Sequence, residues 1–307
     1  MSPKKPGGRR TPREASPGRG TTARRWLAAV LIASAAACSQ PVLRPTPPEA
    51  DLPRWRVLSG PGGGPVSWEE MIAKLRSARV VYIGETHTRP AHHELQLDIL
   101  RALVAADPAV WSLGLEMFDR SYQPVLDAWS RGELPEEEFL RRTHWYANWR
   151  YDFGLYRAVL EFARERRLPL HGLNIPFHIP PKIRVGGTEH LAAAEKAFLP
   201  AEIDLTVEAH RRFAEAVFAR HDFRDRVRFE DFYLVQCIWD EAMAETVADR
   251  LSTGRMVVLA GNGHIQYAYG IPERAFRRNG LPFRTVYALT PGEEVPPAIA
   301  DYVVAER

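Results

Sequence analysis

Two apolar runs that each end in glycine and histidine constrain the fold more than any other feature of the chain. The first is Val80-Val81-Tyr82-Ile83, followed by Gly84-Glu85-Thr86-His87. The second is Met256-Val257-Val258-Leu259-Ala260, followed by Gly261-Asn262-Gly263-His264. Short apolar runs that stop at glycine and polar residues are typical of buried strands. Two such strands predict one shared site at the carboxyl edge of a sheet.

Further runs of strand composition alternate with helical patterns. The additional strand runs are residues 112–115, 168–173 and 284–289. Apolar residues recur at helical spacing in residues 92–106, 153–167 and 229–251. This alternation predicts an α/β fold with a mostly parallel sheet and helices on both faces. Residues 174–228 lack a strand pattern and are predicted as a helical insertion, which either covers the sheet edge and shapes a pocket or forms a peripheral layer.

The N-terminal residues 1–37 have the features of an export signal. A basic stretch, Lys4 to Arg25, precedes an apolar run of about 12 residues, which is too short to span a bilayer. Three alanines precede Cys38, an order that resembles the bacterial lipoprotein cleavage box with alanine in place of its usual leucine. We expect Cys38 to be lipidated, although ordinary signal cleavage beside an incidental cysteine is the alternative. Residues 38–54 are predicted to form a proline-rich tether, and residues 55–307 a single domain.

The basic character of the chain belongs to this signal. The whole chain carries a net charge of +3, but residues 1–37 contain eight Lys or Arg and one acidic residue. Residues 38–307 therefore carry 33 basic and 37 acidic residues. Net charge gives no support to a nucleic-acid partner. Ser39 is not the aspartate associated with inner-membrane retention, so we expect an exported protein anchored in the outer membrane and facing the periplasm.

Titratable side chains gather where the first strand ends. Glu85 and His87 follow it directly, and Pro90 stands where the first turn of a helix tolerates proline, so His92 and His93 open the next helix. A carboxylate with imidazoles binds a divalent metal or works as a general acid/base pair. A lone histidine is more often a hydrogen-bonded structural residue. The cluster favours a functional role, most clearly for His87.

Glu116 and His264 extend this group. Glu116 closes the second strand, and we expect its carboxylate beside the first turn if the two strands are neighbours; a buried carboxylate requires a partner. His264 follows small residues, which let the backbone approach a ligand closely. If the protein is an enzyme, the predicted catalytic residues are Glu85, His87, Glu116 and His264. The candidate metal ligands are Glu85, His87, His93, Glu116 and His264.

Motifs of several common enzyme classes are absent from the sequence. It contains no Walker lysine loop and no dinucleotide fingerprint. It also lacks the Gly-x-Ser-x-Gly turn of serine hydrolases and the His-Glu-x-x-His spacing of zinc proteases. Residues 145–156 are instead dense in aromatic side chains, which core packing explains. A flat ligand such as a porphyrin would also need aromatic walls and one axial ligand.

Taken in order, these motifs resemble the ChaN-like haem-binding lipoproteins, within the superfamily that includes the erythromycin esterases and the Tiki metalloproteases. The resemblance covers about residues 66 to 290. The residues that carry it are Ile83-Gly84-Glu85-Thr86-His87, His92-His93-Glu94-Leu95-Gln96, Leu115-Glu116-Met117-Phe118, Gln123, Leu173-Asn174-Ile175-Pro176, Gln236, Asp240, Met243, Ala244, Gly261-Asn262-Gly263-His264 and Gly270-Ile271-Pro272.

The resemblance implies a lipid-anchored α/β domain that binds haem through a tyrosine, with haem groups held between two protomers. A homodimer and an outer-membrane haem receptor are the candidate protein partners. The matching tyrosine is not identified by the motifs, and the candidate haem ligands are Tyr122, Tyr146, Tyr151, Tyr267 and Tyr269.

Two functions stay open. The first is a lipid-anchored haem-binding protein in haem and iron uptake. The alternative is a metal-dependent hydrolase, esterase-like or protease-like, because the superfamily carries its acid/base or metal chemistry on residues that match Glu85, His87, Glu116 and His264. Haem binding alone does not require two carboxylates and several histidines at a sheet edge. The lipoprotein features favour transport or storage, so the sequence does not decide whether the chain is an enzyme.

Overall fold

The computed structural model describes residues 54–60, 62–105, 111–220 and 227–307. These residues fall in one compact unit. The predicted signal, the expected lipidation site Cys38 and the tether as far as residue 53 lie outside the described residues.

Eight strands form one sheet in the described part of the chain. They are β1 (Trp55–Ser59), β2 (Pro65–Val66), β3 (Val80–Glu85), β4 (Trp111–Asp119), β5 (Leu170–Asn174), β6 (Arg255–Gly261), β7 (Phe283–Ala288) and β8 (Tyr302–Glu306). Their spatial order is β2-β1-β8-β7-β3-β6-β4-β5. The strands from β8 to β5 pair in parallel, whereas β1 is antiparallel to β2 and to β8. The predicted mostly parallel sheet is confirmed.

Helices cover both faces of this sheet. They are α1 (Trp68–Ser77), α2 (Pro90–Val104), α3 (Gln123–Ser130), α4 (Glu136–Thr143), α5 (Trp145–Asn148), α6 (Phe153–Arg166), α7 (Ile179–Gly186), α8 (Ala193–Lys196), α9 (Glu208–Phe218), α10 (Phe229–Arg250) and α11 (Ile271–Asn279). Val81 and Ile83 of β3 pack in one core with α1, α2 and α6. Val80 and Tyr82 pack in a second core with α10 and α11. A strand buried on both faces reads as a continuous apolar run, which is the pattern that identified β3.

Two features of the fold differ from expectation. β1, β2 and β8 had not been predicted, and they form the antiparallel edge. β3 and β4 are not neighbours, because β6 lies between them. The carboxylate of Glu116 therefore lies against the end of β6, which His87 of the turn after β3 also approaches.

The predicted insertion is helical where the structure describes it. Between the end of β5 at Asn174 and residue 220 it consists of α7, α8, α9 and a short turn of 3-10 helix. Among all the described residues, no helix is both long enough and apolar enough to span a membrane.

Candidate functional site

The ends of three neighbouring parallel strands bring the predicted residues to one edge. β6 is the middle strand, and Gly261 at its end pairs with Glu85 at the end of β3. On the other side, Leu115 of β4 pairs with Leu259 of β6, which places Glu116 one residue further along the same edge. The two carboxylates thus flank Gly261.

Glu85 is buried and surrounded by donors. Its Oε1 accepts hydrogen bonds from His87 Nδ1 and from the Tyr156 hydroxyl, each at 2.7 Å. Its Oε2 accepts from Gln96 Nε2 at 2.8 Å and lies 3.3 Å from His93 Nδ1. Burial acts to raise the pKa of Glu85, but the hydrogen bonds and charges of the two histidines outweigh it and hold this pKa far below its ordinary value. Glu85 is therefore an ionised carboxylate that orients His87.

His87 presents one free ring nitrogen to the opening. Because a carboxylate only accepts, Nδ1 carries the proton shared with Glu85, so Nε2 is the nitrogen that holds the lone pair when the ring is neutral. Nε2 has no hydrogen-bond partner among the described residues, and a quarter (25%) of the side chain is exposed. Burial lowers the pKa of His87, but its hydrogen bond to Glu85 and the charge of Glu116 raise it overall. The ring centroids of Trp149 and Tyr151 lie 4.8 and 4.9 Å from the centroid of the His87 imidazole.

Position 261 has little room for a side chain, because His87 and Glu116 approach the backbone there. A Cβ atom at this position would lie 3.1 Å from His87 Cε1 and 3.7 Å from Glu116 Oε2. The backbone N–H of Gly261 also donates to Glu116 Oε2 at 2.6 Å. The glycine thus lets two side chains of the protein come close to the end of β6.

His264 lies between two carboxylates. Its Nε2 is 3.3 Å from Glu116 Oε1, and its Nδ1 is 2.6 Å from Oδ1 of the buried Asp240. Burial lowers the pKa of His264, but the charges and hydrogen bonds of both carboxylates outweigh burial and raise the pKa to about 10. Only 12% of the side chain is exposed. At neutral pH this ring is an imidazolium.

The five candidate metal ligands come to the same edge in two groups, Glu85 with His87 and His93, and Glu116 with His264. His93 is buried, and its Nε2 lies 3.1 Å from the backbone oxygen of His87. Glu85 faces donors on both of its oxygens. Among the described residues, no group of three or more His, Cys, Asp or Glu side chains has the arrangement of a metal site.

Of the five candidate tyrosines, Tyr151 is the one whose ring contacts His87. The Tyr122 hydroxyl accepts from Asn148 Nδ2 at 2.8 Å and lies 3.1 Å from His144 Nδ1. Tyr146 is 58% exposed, and Tyr267 and Tyr269 stack on each other. Burial and the charges of Glu116 and Glu85 raise the pKa of Tyr151.

Several partners of the site were missed as functional residues. They are Tyr156, Gln96, Asp240, His210 and Arg274. Tyr156 belongs to the aromatic segment, and Gln96 and Asp240 to the motifs that carry the family resemblance. His210 and Arg274 gave no signal in the sequence, because their partners are distant along the chain.

Comparison with known proteins identifies the family of this chain. The family model described as "Haem-binding uptake, Tiki superfamily, ChaN" matches residues 71–275. The fold also matches the solved structure titled "Cofacial heme binding to ChaN of Campylobacter jejuni" with a TM-score of 0.68 and 19% sequence identity. That match covers 82% of this chain and 97% of the other.

Two further matches are weaker, one in its TM-score and the other in the share of this chain that it covers. A mutant of the erythromycin esterase EreC in its open conformation matches with a TM-score of 0.45 and 13% identity, over 82% of this chain and 83% of that one. The chloroplast protein RETICULATA-RELATED 5 of Arabidopsis thaliana is 26% identical over 246 residues, or 73% of this chain. The aligned part spans 32% of that longer protein.

Proposed function

Because this chain belongs to the haem-binding uptake family of the Tiki superfamily that includes ChaN, we propose that it binds haem and takes part in haem and iron uptake. The observation that carries the proposal is the match of the family model over residues 71–275, which include β3, β4 and β6 and hence the whole strand-end opening. The Campylobacter jejuni protein is described as binding haem cofacially. We extend that arrangement to this chain as two copies that enclose haem between them.

The side chains at the opening fit a porphyrin. Trp149, Tyr151 and Phe177 form an aromatic wall beside His87, with ring centroids 4.8 to 5.9 Å apart. Aromatic walls and one axial ligand are what a haem site needs. The Tyr151 hydroxyl has no hydrogen-bond partner among the described residues, so it is free to bind iron. Tyr122 is the opposite case, since Asn148 and His144 already engage its hydroxyl.

Tyr151 would hold the haem iron through its hydroxyl oxygen, with His87 next to it. When bound, haem would supply a ferric iron, which favours a tyrosinate oxygen. Two nearby carboxylates and burial favour the neutral phenol and raise the pKa of Tyr151, so coordination must remove its proton. Neutral His87 has its lone pair on Nε2, and it can accept that proton. The Glu85 carboxylate then stabilises the imidazolium.

Absorbance during titration with hemin tests haem binding. The chain without residues 1–38 should develop a saturable Soret band with tyrosinate features. Sedimentation of the same samples should show dimers that form with haem. A Soret band that grows without saturation would overturn the proposal, and a saturable band on a monomer would overturn the cofacial arrangement alone.

The cellular part of the proposal rests on the N-terminal sequence. We place the protein at the outer membrane, anchored through a lipid on Cys38 and facing the periplasm, where an outer-membrane haem receptor would be its partner. Cell fractionation of the full chain and of Cys38→Ala tests this location. The full chain should appear in outer-membrane fractions and the variant in soluble periplasmic fractions. Equal distributions would remove the anchor from the proposal.

A hydrolase is the second candidate function, and the His87 geometry favours it. A histidine whose Nδ1–H is held by a buried carboxylate, with an exposed Nε2, is the arrangement of a general base. Ester and peptide turnover should be measured with and without added divalent metal. Loss of turnover in His87→Ala, with turnover kept in the exposed control His190→Ala, is the expected result. Turnover that does not depend on His87 would reject this function.

A further inference from the structure

A line of buried polar groups stands behind His264, and the functions above give it no role. One oxygen of Asp240 on α10 meets His264 Nδ1 at 2.6 Å, and its other oxygen lies 3.6 Å from His210 Nε2. His210 belongs to α9 of the insertion, and its Nδ1 lies 3.2 Å from Arg274 Nη2 on α11. Asp240, His210 and Arg274 are all buried to 1% exposure or less. The line therefore runs from the sheet edge into the interior through three helices.

Arg274 determines which nitrogen of His210 carries the proton. A guanidinium has only donors, so Arg274 donates and His210 Nδ1 accepts. In neutral His210 the proton then lies on Nε2, which faces the second oxygen of Asp240. Asp240 consequently keeps both oxygens as acceptors, and His264 Nδ1 donates to it. Arg274 also pairs with the buried Glu241, which keeps the guanidinium in place.

The backbone makes room for this arrangement. A Cβ atom on Gly270 would lie 2.8 Å from Asp240 Oδ1 and 2.3 Å from the backbone oxygen of His264. Any other residue at this position would displace Asp240 Oδ1, which lies 2.6 Å from His264 Nδ1. Gln236, one turn before Asp240 on α10, has its Nε2 3.4 Å from the second Asp240 oxygen and 3.1 Å from His264 Nδ1; the amide and the protonated ring nitrogen are both donors, and Asp240 is the acceptor that they share. A buried carboxylate needs such donors to offset its loss of hydration.

We propose that Asp240 is a positioning residue for His264, and that His210 and Arg274 hold Asp240 as a double acceptor. His264 then has an N–H donor on both ring nitrogens, with Nδ1–H on Asp240 and Nε2–H directed to the Glu116 carboxylate, 3.3 Å away, at the strand-end opening. The helical insertion therefore contributes to the opening through His210. The charged groups that face His264 are Glu116 from β4 and Asp240 from α10, with His87 beyond Glu116.

The consequence is a division of roles between the two histidines of the opening. His264 has no lone pair to offer, and its two N–H groups face Glu116 and Asp240, so it holds the Glu116 carboxylate in place at the opening. In its neutral form, His87 has a lone pair on Nε2, because its Nδ1–H faces Glu85. This inference rests on the proposed use of the opening as a ligand site. It concerns the ordering of the protein's own side chains, and it is tested without haem and without turnover.

Long-range proton–nitrogen correlation spectra of the isotope-labelled chain at neutral pH test the proposal. The His264 resonances, assigned by their loss in His264→Gln, should show both ring nitrogens protonated in the unmodified chain. In Asp240→Asn an amide that donates replaces an oxygen that only accepts, and one His264 nitrogen should move to the unprotonated region. Asp249→Asn is the matched control, because Asp249 is exposed on the same helix, and it should leave the His264 resonances unchanged.

Two results would overturn the proposal. The first is a His264 with one unprotonated ring nitrogen in the unmodified chain, which needs no variant to fold. The second is a folded Asp240→Asn protein, checked by circular dichroism, whose His264 resonances equal those of the unmodified chain. Failure of hemin binding with the expected His264 resonances would count against the proposed function alone.

Discussion

Two clusters of histidine and carboxylate lie at the same sheet edge, and the ratio of carboxylates to histidines in one is the reverse of that in the other. At Glu85 one carboxylate serves two histidines, His87 and His93, and neutral donors complete its shell. At His264 one imidazole lies between two carboxylates, Glu116 and Asp240. The first arrangement orients an imidazole with a free lone pair, and the second holds an imidazole as a cation. The number of carboxylates per ring, more than the residue types, sets what each histidine can do.

The comparison predicts its largest effect at Asp240. Asp240→Ala leaves a protonated His264 without one of its two anions and removes the carboxylate that lies 3.6 Å from His210 Nε2. Loss of one partner from a buried ion pair costs about 3–5 kcal/mol of unfolding free energy. Urea unfolding at neutral pH measures this loss. Asp249→Ala, on the exposed face of the same helix, should change stability by less than about 0.5 kcal/mol. Equal losses in the two variants would contradict the role given to Asp240.

The pH dependence of stability should separate the two clusters. The pKa of His264 is raised to about 10 in the folded protein, so its stabilisation is complete below the ordinary histidine value of about 6.5 and is lost as the pH rises through 10. The pKa of Glu85 is lowered, so its stabilisation is present above the ordinary carboxyl value of about 4 and is lost as the pH falls.

Urea midpoints across the alkaline range measure the first effect. The midpoint of the unmodified chain should fall between about pH 7 and pH 10, because over this range the unfolded chain has released the His264 proton that the folded chain still holds. Asp240→Asn should show a flatter decline, since one of the two anions that raise the pKa of His264 is gone. Parallel declines would show that another group causes the alkaline loss.

Tyr156→Phe should have a smaller effect, confined to the Glu85 cluster. It removes a 2.7 Å hydrogen bond to a buried carboxylate. Hydrogen bonds to charged groups contribute about 1.5–3 kcal/mol, and the same loss of unfolding free energy is expected in urea. Tyr302→Phe is the control, because the Tyr302 hydroxyl has no hydrogen bond among the described residues. A loss no larger than that of the control would remove Tyr156 from the cluster.

The smallest effect is expected where the two clusters meet. Gly261→Ala places a Cβ atom 3.1 Å from His87 Cε1, so the imidazole must shift by a few tenths of an ångström. Overpacking of this kind costs about 1–3 kcal/mol. Thermal unfolding measures this loss of stability. The Cβ atom of Gly263→Ala, two residues along, meets no atom within 4 Å, so this variant should keep the melting temperature of the unmodified chain. Equal melting temperatures for the two variants would contradict the close approach of His87 to the strand.

The parallel core of the sheet could be predicted from the sequence, but its edge could not. β3 to β7 are apolar runs between polar or glycine residues, so each is visible on its own. β1 and β8 pair residues as distant as Trp55 and Glu306, and both are five-residue strands with an exposed or half-exposed face. A short strand at an antiparallel edge carries too weak a pattern to be recognised alone.

The sequence predicted which residues form the site, but not the contacts between them. Glu85, His87, Glu116 and His264 do meet at one edge, because parallel strands end together. The sequence does not contain the strand order that puts β6 between β3 and β4, so it did not identify Gly261 and His264 as the partners of Glu116. The carboxylate that controls His264 lies on α10, and the side chain behind it on α9. Contacts between helices distant in the chain leave no local pattern.

The most direct test of haem binding at this opening compares two tyrosines during hemin titration. Tyr151 has a free hydroxyl beside His87, whereas the Tyr122 hydroxyl is already hydrogen bonded. Tyr151→Phe should lose the tyrosinate charge-transfer band and bind hemin about tenfold more weakly or worse, a change of at least 1.4 kcal/mol. Tyr122→Phe should keep both the band and the affinity. An unchanged spectrum and affinity in Tyr151→Phe would contradict the account.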